Sequence, residues 1–519
     1  MRFRIFSDPG RGAFAALVMC AALAPGLAAA QSDTDTGAGA AVTLDQVEEA
    51  WHSDDFETAR AGLLTFAEDG MALAQYRLGY MMANASGGPF DREGAIKWLE
   101  KAVAQGHQPA FLLLARVYMS NRPELDDYVR AAELLEQAVA QDSAEAHFYL
   151  AQLLRIGRGV EPDPARAYDL MGKAARAGVL DAKFALSQMY SRGEGTEKDA
   201  AQAARWLLQS AEEGQPEAQL SLYYNYSTGT GFAKDPGKAL LWLTAAADSG
   251  VAVAERILGT ALLLGQGVEG VEVDQEKGLL RLFSAAEKGE PGAQSNLGYA
   301  YASGTGVAAD MAIAADWYRK AANQRLTRAA VVMGGLYEEG AGVEKNLDEA
   351  IKYYRIAYSG RSDVAAARLG SFVINDVIPF AEMPEEGFDW VAAAAAAGEE
   401  GAVDWLKKLA QDGEPYAYAI LAPLYRDGTG VEADPETAVR YFRIAAGAGH
   451  AQSQADLAEA YATGSGVEQD FVEAHKWANV AAAGGLDAAA ERRDTLAKLM
   501  TPDQIAEAQD RARRQLLGN

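Results

Sequence analysis

The sequence predicts an all-α chain built as a stack of similar helix pairs, and three observations predict it. Segments end on Ala-Gly or a similar pair at Gly70, Gly106, Gly178, Gly214, Gly250, Gly289, Gly360, Gly398, Gly413 and Gly449, most often 36 residues or a multiple of 36 apart. A fixed period of this size marks a repeat architecture. Within each segment the order of apolar residues, glycines and an aspartate is the same. Helix punctuation falls at the same place, as in Asp163-Pro164, Asp235-Pro236 and Asp434-Pro435.

One segment shows the elements in order. Between Glu290 and Arg325, Ala293, Leu297, Gly298 and Tyr301 are spaced i, i+4, i+5, i+8, one face of a helix. Gly298 inside that helix costs about 1 kcal/mol against Ala, which is tolerable if a second helix must approach closely. Gly304 and Gly306 end the first helix, because Gly adopts the left-handed cap without strain. Asp310 is the expected N-cap of the second helix, worth about 1 kcal/mol. Pro after the capping Asp suits the first helical position. The second helix is expected to turn Trp317 and Ala321 inward. The segment from His450 to Gly485 matches throughout, with Leu457, Tyr461, Gly464, Gly466, Asp470, Trp477 and Ala481. A lone pair cannot bury these faces, so neighbours must stack.

The pattern A-x3-L-G-x2-Y-x2-G-x-G-V-x2-D-x3-A-x2-W-x3-A-A-x2-G resembles the Sel1-like repeat, a relative of the tetratricopeptide repeat. The resemblance covers roughly Met71 to Gly485. It implies a right-handed α-solenoid of about eleven Sel1-like helix-pair repeats plus capping helices. The organisation expected is a signal peptide at 1–30, a disordered leader at 31–43 and an N-terminal capping half-repeat at 44–70. The repeat array follows at 71–360, then a degenerate repeat with an extra helix at 361–413, a repeat pair at 414–485 and C-terminal capping helices at 486–519. The tail helix opens at Thr501-Pro502, N-cap and first helical residue.

Three places depart from the pattern. Glu269 to Val273 is a short loop insertion. Asn121-Arg122-Pro123-Glu124 replaces one Gly-x-Gly loop. The largest break runs from Arg361 to Gly413: after Leu369-Gly370 comes Asn375-Asp376-Val377-Ile378-Pro379-Phe380, without glycines, and an extra helix is expected over Ala402 to Gln411. Such a break either bends the array or carries function.

The N-terminus reads as an export signal. Arg2, Arg4 and Arg11 precede an apolar run from Ala13 to Ala24, too short to span a membrane. Ala28-Ala29-Ala30 is the expected cleavage site, giving a periplasmic chain that begins at Gln31 and inserts in no membrane after cleavage. Met19, not a small residue, precedes Cys20, which argues against lipid attachment. Cys20 is the single cysteine, so the cleaved chain would have no disulfide, thiolate zinc site or cysteine nucleophile. Losing Arg2, Arg4, Arg11 and Asp8 takes the formal net charge from −26 to −28. So acidic a surface repels nucleic acid and anionic lipid. It serves solubility, or forms an acidic groove for a basic partner segment.

Enzyme motifs are weighed against the repeat. Eight Gly-x-Gly loops recur at one repeat position with no Lys-Ser/Thr after them, so they read as helix stops rather than phosphate cradles. His52, His107, His147, His450 and His475 show no zinc-hydrolase spacing. Carboxylate pairs such as Glu338-Glu339, Asp126-Asp127 and Glu385-Glu386 are too common to single out, and a glycosidase needs a fixed separation across a cleft. No catalytic residue, cofactor or metal is therefore expected. The candidate binding positions lie on the first helices, two residues beyond the recurring leucine: Tyr80, Gln152, Gln188, Tyr224 and Tyr299. Tyr and Gln suit recognition of a protein or polymer; tyrosines there could equally pack between neighbouring helices.

The reading that results is a non-enzymatic periplasmic scaffold binding one or more envelope proteins or a polymer. The resemblance supplies two settings, exopolysaccharide or envelope assembly and restraint of a membrane sensor kinase. The rival is an envelope polysaccharide or peptidoglycan hydrolase, which requires two convergent buried carboxylates near Asn375–Asp389.

Overall fold

The computed structural model describes residues 43–120, 123–384 and 386–518. The expected signal, its cleavage site and the expected leader up to residue 42 lie outside the described residues, as do Asn121, Arg122 and Glu385. Twenty-seven α-helices and one short 3-10 turn, Phe380–Glu382, are present among the described residues, and the helices pack in consecutive pairs. The fold is a solenoid-like repeat. Two compact units divide it between Ala254 and Glu255.

In the second unit, helices Pro291–Ser303 and Met311–Asn323 show how one pair is made. The Glu290 carboxylate accepts the Ala293 N–H and starts the first helix. Gly304 and Gly306, at φ 73° and 74°, turn the chain out of it. Asp310 then accepts the N–H groups of Ala312 and Ile313 at 2.9 and 3.0 Å, satisfying donors that a helix start leaves orphaned. Ala293, Leu297 and Ala300 face Ala314, Tyr318, Ala321 and Ala322, all buried. Burying Leu297 contributes about 2 kcal/mol. Gly298 is where the pair closes: a Cβ there would stand 2.8 Å from the Tyr318 ring.

The tryptophans are placed differently from expectation. Trp98 and Trp477 are buried, but Trp317, Trp206 and Trp242 are only half-buried. The inward stripe runs through the next residue instead: Leu99, Leu207, Leu243 and Tyr318. Trp317 sits at the edge of that stripe, edge-on to Phe283 at 6.0 Å and beneath the Lys320 ammonium at 3.7 Å. The closing residue also shifts once. Gly360 has ordinary helical-side φ, and the left-handed residue is Arg361, at φ 61°; Arg325 holds the equivalent place at φ 62°.

A buried polar position recurs in the first helices. In the first unit, Gln75 Nε2 donates to the Ala67 carbonyl at 3.0 Å and Gln219 Nε2 to the Ala211 carbonyl at 3.3 Å. In the second, Gln294 and Gln454 donate to the Ala286 and Ala446 carbonyls. Each reaches the last turn of the preceding helix. A partner from the end of the same pair completes the position: Gln105 on Gln75, Ser249 on Gln219, Gln324 on Gln294. Two pairs use ions of opposite order. Lys183, 5% exposed, binds Glu213; Glu255, 4% exposed, accepts from Lys288 at 2.7 Å. Buried charges persist only when paired in this way.

Candidate functional site

The site is built where the repeat lapses. Helix Asp363–Ile374 starts regularly, with Ser362 accepting the Ala365 N–H. No Gly-x-Gly follows. Instead Asp376 takes φ 59°, and the N–H groups of Val377 and Ile378 both reach back to the Phe372 carbonyl. Pro379 then leads into the turn Phe380–Glu382 and helix Gly387–Ala396. That helix packs on Asp363–Ile374 across Gly370, where a Cβ would meet the Trp390 carbonyl oxygen at 2.1 Å. The additional helix Ala402–Gln411 buries Ala402, Leu406 and Ala410 on one face.

This arrangement leaves a run of aromatic rings. Trp405 lies 5.9 Å from Phe380, Phe380 is 6.3 Å from Phe388, and Phe388 stacks on Tyr416 at 5.1 Å with ring planes 21° apart. His450 meets Tyr416 edge-on at 5.8 Å. Phe380 and Tyr416 are 44% and 48% exposed, unlike rings that serve only a core. Phe388, Tyr416 and His450 line a cavity of about 700 Å3 together with Ile420, Pro423 and Leu424, within the 300–1,000 Å3 range usual for binding pockets.

Its polar groups are mostly acceptors. Glu386, Asp389 and Asp427 stand on its wall with exposed side chains. Asp427 is held below the usual carboxylate range by hydrogen bonds from Arg426, at 2.7 and 2.9 Å. Pro423 lies inside helix Pro415–Asp427 and has no N–H to give the Ala419 carbonyl four residues back. Ala419 is part of the same wall. His450 caps its helix: Nδ1 accepts the Ser453 N–H at 3.1 Å, so the ring proton is on Nε2. Burial lowers the His450 pKa, and the Asp456 carboxylate opposes that. Asp456 is itself raised by burial, with Arg426 opposing. Tyr358 donates to Asp389 at 3.4 Å, and burial, then the Asp389 charge, raises its pKa. Among the described residues no group of three or more His, Cys, Asp or Glu is placed to hold a metal.

The five positions expected from sequence are on equivalent turns of their first helices, four in the first unit and Tyr299 in the second. Tyr80 is half-buried, its ring 6.0 Å from Trp51. Gln152 accepts from Arg155 at 3.0 Å, and Gln188 is half-buried. Tyr224, against Tyr223 at 5.0 Å, and Tyr299 are 44% and 49% exposed. None of the five belongs to the aromatic cavity. Phe380, Phe388 and Trp405 carried a signal of their own, rings in a stretch without the repeat's Gly-x-Gly loop; Tyr416, in the repeat that follows, did not.

Helix pairs stacked by a recurring small-residue seam define a helical repeat protein. The chain belongs to the Sel1 repeat family, whose model matches residues 72–107, 122–143, 144–179, 180–215, 216–251, 252–289, 291–326, 327–361, 415–450 and 451–486. The stretch between 361 and 415, which carries most of the aromatic run, falls outside those matches. With the pair Asp363–Ile374 and Gly387–Ala396, ten matched repeats become eleven helix-pair units. The chain is similar to c5321, a protective antigen present in uropathogenic Escherichia coli strains and displaying an SLR fold. The two share 28% identity and a TM-score of 0.50 over 88% of this chain and 94% of that one. It is also similar to a Sel1 repeat protein from Oxalobacter formigenes, at 31% identity and TM-score 0.41 over 45% of this chain and 94% of the other. No curated protein matches. Among the described residues no helix is long and apolar enough to cross a membrane.

Proposed function

We propose that the chain is an exported, non-enzymatic scaffold that binds an envelope protein, with the Phe388–Tyr416 groove as its contact. The observation that carries this is a stacked, half-open aromatic pair on a cavity wall, formed where the unmatched stretch between 361 and 415 meets the repeat that follows it. Rigid aromatic surface is what interface hot spots are made of. Glu386 and Asp389 are exposed, whereas a hydrolase at this place needs buried, converging acids; that favours the scaffold over the hydrolase. The protective-antigen description of the similar E. coli protein fits a family member met outside the cytoplasm. Envelope or exopolysaccharide assembly is the setting proposed, with restraint of a sensor kinase as the alternative.

The test is a photo-crosslinking residue at Tyr416 in the living cell, with a second at exposed Leu280 as control. One envelope protein captured at Tyr416 and not at Leu280 is expected. Capture of the same set at both positions, or of none, sinks the reading. Recovery of the chain in the cytoplasm with its N-terminal arginines intact would overturn export.

A further inference from the structure

We infer that the groove receives a cationic segment of its protein partner, with an arginine side chain laid on the Phe388–Tyr416 stack. The inference deepens the scaffold reading and rests on it. Its ground is charge complementarity at one place. Glu386, Asp389 and Asp427 bring three carboxylates to the wall, and Pro423 leaves the Ala419 carbonyl without its helical donor. Among the described residues no lysine or arginine lines the cavity. His450 spends Nδ1 on its own helix cap. The donors of the wall are the Tyr416 and Thr429 hydroxyls and His450 Nε2, all uncharged, against three carboxylates, so a neutral sugar would leave most of the acid unmatched. An anion would find carboxylates. A guanidinium is all donors, planar, and matched to both carboxylates and ring faces.

Asp427 is already engaged by Arg426, so the free acids of the wall are Glu386 and Asp389. Tyr358 touches Asp389 at 3.4 Å, a contact that holds the carboxylate without neutralising it. Tyr416 is 48% exposed beside its contacts with Phe388 and His450, and that exposed surface is open to the incoming group. The cavity, at about 700 Å3, is larger than one side chain requires, so a short segment rather than a lone ion fills it.

The test uses the full exported chain and fluorescein-labelled octapeptides of Gly, Ser and Leu with one central Arg, or with Lys, Gln or Glu in its place. Anisotropy titration should rank Arg over Lys over Gln over Glu, with Arg at least about tenfold above Gln. Tyr416→Ala and the conservative pair Glu386→Gln with Asp389→Asn should each remove most of the Arg preference. Asp503→Asn, an exposed acid of the tail helix, should change nothing, which separates this site from the general attraction of a strongly acidic chain. Equal binding of the Gln peptide, or an Asp503→Asn effect as large as the groove variants, overturns the arginine assignment. So does spermidine or free arginine binding as tightly as the peptide, since the occupant would then be a small cation. If the Arg peptide fails while the Tyr416 crosslink to one envelope protein persists, the cation assignment falls alone; loss of both takes the scaffold reading with it.

Discussion

Gly298 and Gly370 hold the same place in their helix pairs, and their surroundings differ. A Cβ at Gly298 would press on the Tyr318 ring, a side chain that can swing; at Gly334 it would meet Tyr354, and at Gly79, Leu99. At Gly370 it would meet the Trp390 carbonyl, which is backbone. The seams at Gly298 and Gly334 are therefore spaced by a ring and the Gly370 seam by backbone; the regular pair at Gly259, where a Cβ would meet the Gly278 carbonyl at 2.9 Å, shares part of that close approach. The closeness at Gly370 follows from the sequence between its two helices. Without a Gly-x-Gly stop, the chain leaves Asp363–Ile374 through Asp376 and returns by way of Pro379, setting the next helix down nearer. The displaced aromatics Phe380 and Phe388 then have no seam to enter and remain at the surface.

The largest expected effect tests this contrast directly. Gly370→Ala should cost about 3 kcal/mol of local stability, since backbone must move. Gly298→Ala should cost less, about 1 kcal/mol, because a side chain rather than backbone must give way and better helix propensity offsets part of the crowding. Hydrogen exchange resolved by helix pair is the measurement, because long arrays do not melt in one step. Equal protection loss at both would show that the two seams do not differ.

The ion pairs with one buried partner come next. Lys183→Glu places a second carboxylate, buried, against the solvent-screened Glu213 and should destabilise its pair by about 2 kcal/mol. Adding Glu213→Lys should restore most of that, reproducing the order found naturally at Glu255 and Lys288. A double variant no better than the single would show that the position reads more than charge.

Acid should act at three histidines, one of them at the groove. His107, His450 and His475 have pKa values lowered by burial from 6.5. The folded chain thus holds them neutral while the unfolded chain takes up protons below 6.5. Stability should be flat above that pH and fall as pH drops through it, levelling once the folded histidines protonate. His450→Asn keeps a capping oxygen and should flatten part of the fall, seen as melting temperature between about pH 8 and pH 5. An unchanged slope would place the effect in His107 and His475.

Two small effects complete the contrast. Arg361→Gly and Arg325→Gly should each stabilise by about 1 kcal/mol, because glycine holds positive φ without strain; a loss in melting temperature would mean that the arginine side chains matter more. Replacing Tyr80, Tyr224 and Tyr299 together by Ala should leave helicity intact and reduce partner capture less than Tyr416→Ala alone. The reverse order would move the contact onto the regular array.

The helices were legible from sequence because their signals are local. Leu297, Gly298, Gly304, Gly306 and Asp310 each act within a few residues of their neighbours, and repetition averaged out single exceptions. The half-burial of Trp317 was not legible: a one-residue shift of the inward stripe to Tyr318 depends on the angle at which two helices meet. The break at 361–413 was visible as a loss of glycines, and the extra helix Ala402–Gln411 as a period. The groove was not, because Phe388 and Tyr416 are 28 residues apart and meet only through the return of the chain past Pro379. The five expected contact positions came from helix register alone, which places residues on a turn and says nothing of rings arriving from elsewhere.

The buried polar position has a consequence for how such a chain can change length. Lys183 and Glu213, or Glu255 and Lys288, both lie between one closing turn and the next, so a duplication of that stretch copies both charges together. The link to the preceding repeat, where Gln75, Gln219, Gln294 or Gln454 occupies the position, asks only for a backbone carbonyl, which every neighbour supplies. A unit can be gained or lost by genetic recombination without stranding a charge in the seam. The array is thus free to vary in number, while the irregular pair around Gly370 has no spare copy.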